Sequence, residues 1–287
     1  MSTSQKTAQI IDGRKLADEI LRKLKIKVAR LPRRPSLAAI LVGDDPASKL
    51  YVNNKKRAAH KVGIDFHEYL AGGKFYPRLT QPELLAMIDW LNQDNSIDGI
   101  IIQLPLPPKF SSQEVIDHLA AEKDVDGFHP QNTNKFLTDS NYVIPPLIAA
   151  IQAALKATGQ NLKDKKAVIV AKNPIFSQPL NQALEKQNLN SIVIKPTDKK
   201  LAAVTKTADV LISLVGKKHL IKPEMVKKDA IVIDGGIILV GKNHWAGDVD
   251  PQVAKVASWL TPVPGGIGPL TVARLLENVY RLSQKRQ

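Results

Sequence analysis

The chain is 287 residues long, 44% hydrophobic and free of cysteine. A packed core is therefore within reach, while disulfides, thiolate metal sites and cysteine nucleophiles are excluded. Forty-one Lys and Arg against 27 Asp and Glu leave a net charge of +14. That surplus favours anionic partners, but the basic residues are scattered rather than grouped with aromatics, so a solvated basic surface explains them before nucleic acid does.

No run approaches the roughly 18 consecutive apolar residues of a membrane helix. The opening MSTSQKTAQ lacks the apolar stretch of a secretory signal. The expectation is a cytoplasmic protein with no membrane partner and no metal.

In chain order, residues 9–30 read as one helix rich in Leu, Ile and basic residues, Ser36–Val42 as a buried strand, and Pro46–Val62 as a helix. Residues 65–70 read as a strand, 81–92 as an amphipathic helix, and 98–104 as a parallel strand ending at Pro105. A short helix is expected from Ser112, acting as its N-cap. An Ala-rich apolar helix over 147–158, stopped by Gly159, reads as a connector between domains.

Beyond it come a strand at 167–171, a helix at 178–187, and strands at 191–194, 209–214 and 230–234. Short apolar runs alternating with amphipathic stretches indicate α/β architecture. The later part suits a Rossmann-like parallel sheet. A last helix is expected over 270–283, after a loop at 261–269. The expected division is residues 1–146 and 147–269, with 270–287 packing back on the first domain.

Four stretches bear residues suited to chemistry. Tyr51 and Lys55 are four apart on a predicted helix and share a face. A lysine works as a proton-transfer group near neutrality only if desolvation or nearby cations lower its pKa. The same spacing also describes a solvated helix face. Gln103 closes an apolar strand where open α/β sheets place ligands, or is an amide satisfied by backbone.

KDVDGFHP from Lys123 places two carboxylates around a valine, which on an extended segment face one side. Asp126 is either a ligand-directed acceptor or a turn-forming residue beside Gly127, and His129 before Pro130 reads as structural. TPVPGGIGPLT from Thr261 is too rich in Pro and Gly for helix or strand. It reads as a rigid loop that brings backbone close to a ligand or crosses between domains.

A Tyr-x-x-x-Lys pair is also similar to the short-chain dehydrogenases, but no glycine-rich strand–turn–helix precedes Tyr51. Six stretches in order resemble another family, methylenetetrahydrofolate dehydrogenase/methenyltetrahydrofolate cyclohydrolase, over nearly the whole chain. They are IDGRKLADEI from Ile11, VGDDPASKLYVNNKKRAAHKVGI from Val42, DGIIIQLPLP from Asp98, KDVDGFHP from Lys123, GDVD from Gly247 and TPVPGGIGPLT from Thr261.

The resemblance implies two α/β domains with a cleft between them, a homodimer, a tetrahydrofolate derivative as substrate and NADP as cofactor. It implies Lys55 as the central catalytic group, Tyr51 stacked near the pterin, Gln103 tuning the lysine and Asp126 gripping the ring. Ser48, Leu104, Pro105, Pro262, Gly265 and Gly266 would complete the folate site, and the loop from Pro262 to Gly266 would close over it.

The cofactor positions depart from the family. Ala171, Lys172 and Asn173 stand where glycine, arginine and serine are usual, and Ser177 replaces a further glycine, although Pro179 matches. Such glycines let backbone N–H groups approach phosphates, and lysine lacks arginine's bidentate fork. Pro196 and Thr197 replace a His-Ser pair, and Asn134 replaces a glycine. Of the Pro-Cys-Thr-Pro-x-Gly segment aligned with residues 145–150, only Pro145 remains. The segment holding Asp234, Gly235, Gly236 and Ile237 is kept.

The expected cofactor contacts are thus Ala171, Lys172, Asn173, Ser177, Gly236 and Ile237. The folate half is expected to be the better preserved. The leading expectation is both activities. Its alternatives are a cyclohydrolase with a weak or lost dehydrogenase, or a non-catalytic folate- or nucleic-acid-binding protein.

Overall fold

The computed structural model describes residues 7–74, 76–139, 142–241 and 244–286. In chain order these form β1 (Gln9–Ile10), α1 (Gly13–Val28), β2 (Ser36–Val42), α2 (Pro46–Val62), β3 (Asp65–Ala71), α3 (Gln81–Gln93), β4 (Gly99–Ile102), α4 (Ser112–His118) and α5 (Pro130–Lys135). They continue with α6 (Pro146–Ala157), β5 (Lys166–Ala171), α7 (Pro174–Lys186), β6 (Asn190–Ile194), α8 (Leu201–Thr205) and β7 (Val210–Leu214). The last are β8 (Ile231–Asp234), β9 (Ile238–Gly241), β10 (His244–Ala246), β11 (Trp259–Leu260) and α9 (Ile267–Gln284).

The chain divides into two compact units. One comprises Asp18–Pro146 with Val272–Gln287, and the other comprises residues 1–17 with Leu147–Thr271. Residues just before α1 fall with the later unit because Gln9 and Ile10 pair in parallel with Trp259 and Leu260.

The unit built on Asp18–Pro146 holds a three-stranded parallel sheet in the order β3-β2-β4. All seven residues of β2 and all four of β4 are buried, as near-continuous apolar runs in a parallel sheet should be. Their core partners include Leu84, Ile88 and Leu91 of α3.

α2 starts sharply because Asp45 accepts the backbone N–H of Ser48 and Pro46 sits at the first helical position. It stops at Gly63, whose φ of +86° suits glycine. α4 is capped by Ser111, not Ser112, since the Ser111 hydroxyl is the one that reaches the Glu114 N–H.

The second unit holds a six-stranded sheet in the order β1-β11-β8-β7-β5-β6, parallel throughout. β5 has β6 on one side and β7 on the other. The order of strand addition therefore reverses at β5, the switch point at which open α/β sheets bind ligands outside their carboxyl ends. Val168, Val170, Leu211 and Val232 lie in its core.

Two sequence expectations fail in instructive ways. Residues 9–30 are not one helix. A short strand precedes α1, and Asp12 begins the helix by accepting the Lys15 N–H. The loop at 261–269 is shorter than expected, because α9 already begins at Ile267 and carries Pro269 in its first turn. Proline is tolerated there because its missing N–H would have no helical acceptor.

Within the second unit, a Cβ on Gly13 would collide with the backbone carbonyl of Gly266. Glycine at 13 is therefore a packing requirement, and it couples the IDGR stretch to the TPVPGG stretch.

Candidate functional site

On α2 the buried residues are Ser48, Val52, Lys55, Ala59 and Val62. Their spacing of three and four is the inward stripe of an amphipathic helix, and a lysine sits in the middle of it. The Lys55 ammonium end donates to Gln103 Oε1 at 2.8 Å. Gln103 follows β4 directly, and its amide nitrogen donates to the Leu104 carbonyl at 2.6 Å. That second bond fixes the amide orientation, so the oxygen has to face the lysine.

Burial pushes the Lys55 pKa down from the usual lysine range, while the nearby charge of Asp126 pulls it partly back up. Desolvation raises Asp126 to about 6, with the positive Lys55 opposing that rise and Asp124 adding to it. The Tyr51 phenol is pushed up to about 12 by burial alone, so it stays a neutral ring near neutral pH. Tyr51 stands one helical turn before Lys55 and is half-buried.

Leu104 is half-buried and Pro105 exposed, directly beyond Gln103. Lys55, Gln103 and Asp126 thus form one interacting group, with Tyr51 and Ser48 on the same helix. Three of these, a lowered amine, a raised carboxyl and a locked amide, are the arrangement expected of proton-transfer chemistry.

The two carboxylates of KDVDGFHP do not act alike. The segment is turned rather than extended. Asp124 is buried and accepts the backbone N–H groups of Asp126, Gly127 and His129, together with the Asn132 amide. Asp124 therefore builds the loop that presents Asp126. Sequence reading missed this role, since the one-residue spacing suggested a common face. Gly127, with φ of +70°, makes the turn possible. His129 caps α5 by accepting the Gln131 N–H. The side chain of Asn134 lies outside the described residues.

Pro262, Gly265 and Gly266 belong to the other unit. There Gly265 adopts φ of +111°, and a Cβ on it would crowd the Arg14 side chain. Gly266 is buried against Gly13 as described above.

Of the remaining expected residues, Ala171, Lys172, Asn173 and Ser177 lie at and just beyond the end of β5, the switch point of the six-stranded sheet, while Gly236 and Ile237 follow β8. Ala171 ends β5, and Lys172 is exposed, with no ion-pair partner among the described residues. Asn173 caps α7: its Oδ1 accepts the Ile175 N–H at 2.9 Å, and its carbonyl accepts the N–H of buried Ser177 at 3.3 Å. Pro174 has no N–H to offer. The Ser177 bond is the first ordinary bond of the helix, so it is the Ile175 N–H, a first-turn donor that would otherwise face an anion, that the cap takes up within the chain.

After β7, Gly216 adopts φ of +70° and faces open space. Gly236 is buried and Ile237 half-buried, between β8 and β9. A parallel-sheet switch point with an exposed cation, a polar cap and an open glycine fits an anionic dinucleotide, held with fewer backbone contacts than a glycine-rich turn provides. Among the described residues no cluster of His, Asp and Glu is suited to a metal, and no helix is long and apolar enough to cross a membrane.

Comparison with known proteins gives matches to two family models. Residues 11–126 match the tetrahydrofolate dehydrogenase/cyclohydrolase catalytic domain, and residues 145–287 match the NAD(P)-binding domain of the same family. The bifunctional protein FolD of Moorella thermoacetica is 41% identical over 282 residues, covering 97% of this chain and 99% of that protein.

Among solved structures, the bifunctional methylenetetrahydrofolate dehydrogenase/cyclohydrolase of Campylobacter jejuni aligns with a TM-score of 0.90 at 36% identity. It covers 98% of this chain and 100% of its own. The Trypanosoma brucei enzyme, solved with NADP and an inhibitor, gives 0.90 at 28% identity over 97% and 98% of the two chains.

Proposed function

This chain belongs to the tetrahydrofolate dehydrogenase/cyclohydrolase family, and from that premise we propose that it oxidises 5,10-methylenetetrahydrofolate with NADP and hydrolyses the 5,10-methenyl product to 10-formyltetrahydrofolate. The observation that carries this reading is the buried Lys55 amine bonded to Gln103 beside Asp126.

The methenyl bridge is a cationic amidinium, so its carbon is electrophilic and is repelled by a charged ammonium. A lysine whose pKa is lowered by burial offers a neutral amine, which takes a proton from the attacking water without opposing the substrate's charge. Gln103 Oε1 accepts from the amine in either protonation state, since both carry N–H donors. It therefore holds the nitrogen in place through the reaction.

Asp126 accepts from the paired N–H groups of the pterin ring. Tyr51, kept neutral, supplies an aromatic face for the pterin and packs beside the lysine. Ser48, Leu104 and Pro105 belong to the same unit as Lys55 and add contacts to the folate in this reading.

NADP, when bound, would supply the hydride acceptor for the methylene carbon. Toward it, Lys172 offers its charge to phosphate, Asn173 a small polar side chain, and Ala171, Ser177, Gly236 and Ile237 the surrounding walls. A second reading, hydrolysis alone, draws on the Asn173 cap, which already engages the Ile175 N–H of the first turn.

Two assays decide between them. Methylenetetrahydrofolate with NADP should yield reduced cofactor by absorbance, and methenyltetrahydrofolate alone should be consumed. Turnover in the second assay only selects the hydrolase reading, and turnover in neither removes both.

The same reading makes the protein a cytoplasmic homodimer, a cysteine-free chain being suited to a reducing compartment. Support for pairing comes from β6, an edge strand on which Ile192 and Val193 are 42% and 41% exposed. Unpaired apolar edges invite a partner strand. Sedimentation equilibrium at micromolar concentration should report twice the chain mass, and a monomer there would rule the dimer out.

A further inference from the structure

We propose that Asp248, in the GDVD stretch, is a positioning residue for dinucleotide binding: its carboxylate sets the chain turns that follow β7 and β8. The idea rests on the reading of this unit as the NADP-binding one.

Asp248 is fully buried. One of its oxygens accepts from the Ser213 hydroxyl and the Val215 N–H, each at 2.7 Å, and the other accepts the Lys217 N–H at 2.7 Å. Short bonds to a carboxylate from three converging donors are strong ones. They wrap residues 213–217 around the carboxylate, with Gly216 between the two backbone donors in a left-handed conformation and facing open space.

The next turn is built on the same group. A Cβ on Gly236 would overlap the Asp248 carboxyl group. Glycine at 236 is thus required by Asp248, whatever else approaches it. The relation is reciprocal. Asp234 accepts the N–H groups of Gly236 and Asp248 at 3.0 Å and of Val249 at 2.9 Å, and a Cβ on Gly247 would overlap the Asp234 carboxyl group.

The Asp-Gly-Gly-Ile and Gly-Asp-Val-Asp stretches are therefore two halves of one interlock. The interlock stands at the carboxyl ends of β7 and β8, and β7 flanks the switch point where open α/β sheets receive their ligands. Crevice walls made of short turns have no rigidity of their own, and a buried carboxylate with three donors supplies it.

Asp248→Asn keeps the shape but turns an amide N–H toward groups that are themselves donors. The expected result is a rise of about tenfold or more in the NADP dissociation constant measured by calorimetry. KM for NADP should rise in step while kcat at saturating NADP stays near wild type. Hydrolysis of methenyltetrahydrofolate without NADP should remain within about twofold of wild type, a split that general destabilisation would not produce.

Ser213→Ala removes one donor only and should shift NADP affinity in the same direction by a smaller factor; it decides the matter if Asp248→Asn does not fold. Unchanged NADP affinity in a folded variant overturns the proposal, as does an equal loss of binding and hydrolysis. A wild-type protein that binds no NADP overturns the dinucleotide reading as well.

Discussion

Lys55→Met should reduce methenyltetrahydrofolate hydrolysis by about a hundredfold to ten-thousandfold, the range expected when a positioned proton-transfer group is removed. Methionine has nearly the same length, so it fills the inward stripe of α2 between Val52 and Ala59 without leaving a hole. A buried amine replaced by an apolar chain of similar volume costs little stability, although Gln103 Oε1 loses its donor and about 1–3 kcal/mol is the usual penalty for such an orphan. Circular dichroism and the melting curve should therefore report a folded protein. Disappearance of methenyltetrahydrofolate, corrected for the uncatalysed rate, gives the result. A folded variant that hydrolyses at the wild-type rate would remove Lys55 from the chemistry.

Gln103→Glu and Asp126→Asn should move the pH dependence of hydrolysis in opposite directions. The active form is the neutral amine, so the rate rises with pH as Lys55 loses its proton. Burial holds that titration below the usual lysine range, and Asp126 partly reverses the effect. Glutamate at 103 would bring a negative charge to within hydrogen-bond distance of the amine, where an amide oxygen now stands at 2.8 Å. The ammonium is then favoured, and the rising limb should move to higher pH by about one unit or more.

Asp126→Asn removes the charge that raises the lysine, so the limb should move to lower pH, accompanied by a higher KM for folate. Both profiles are read as kcat at saturating methenyltetrahydrofolate. Limbs that coincide with wild type in both variants would show that Lys55 does not set the rate.

Much of this arrangement was legible in the sequence, for reasons that differ between residues. Ser36–Val42 is an unbroken apolar run, and that is what a strand buried on both faces requires. Tyr51, Lys55, Gln103 and Asp126 were singled out through the family resemblance, since spacing alone left each of them an ordinary structural reading. A further signal lay unused on α2: Val52, Ala59 and Val62 fall at helical spacing from Lys55, so the lysine had to share their inward face.

Other features left no local trace. β1 is two residues long and exists only through its pairing with Trp259 and Leu260. The Gly-Pro content around Ile267 hid the first turn of α9. Asp124 and Asp126 flank one valine in sequence, and only the turned backbone separates a loop-building carboxylate from one coupled to Lys55. Asp248 takes its donors from residues 213–217, far back along the chain, and short-range pattern has no access to such a relation.

The meeting of Gly13 with the Gly266 carbonyl has a practical corollary. Two segments far apart in sequence close on one another there backbone to backbone, with no side chain between them. A bulkier residue at position 13 would therefore displace the Pro–Gly segment around Gly266 before it disturbed anything between them in sequence.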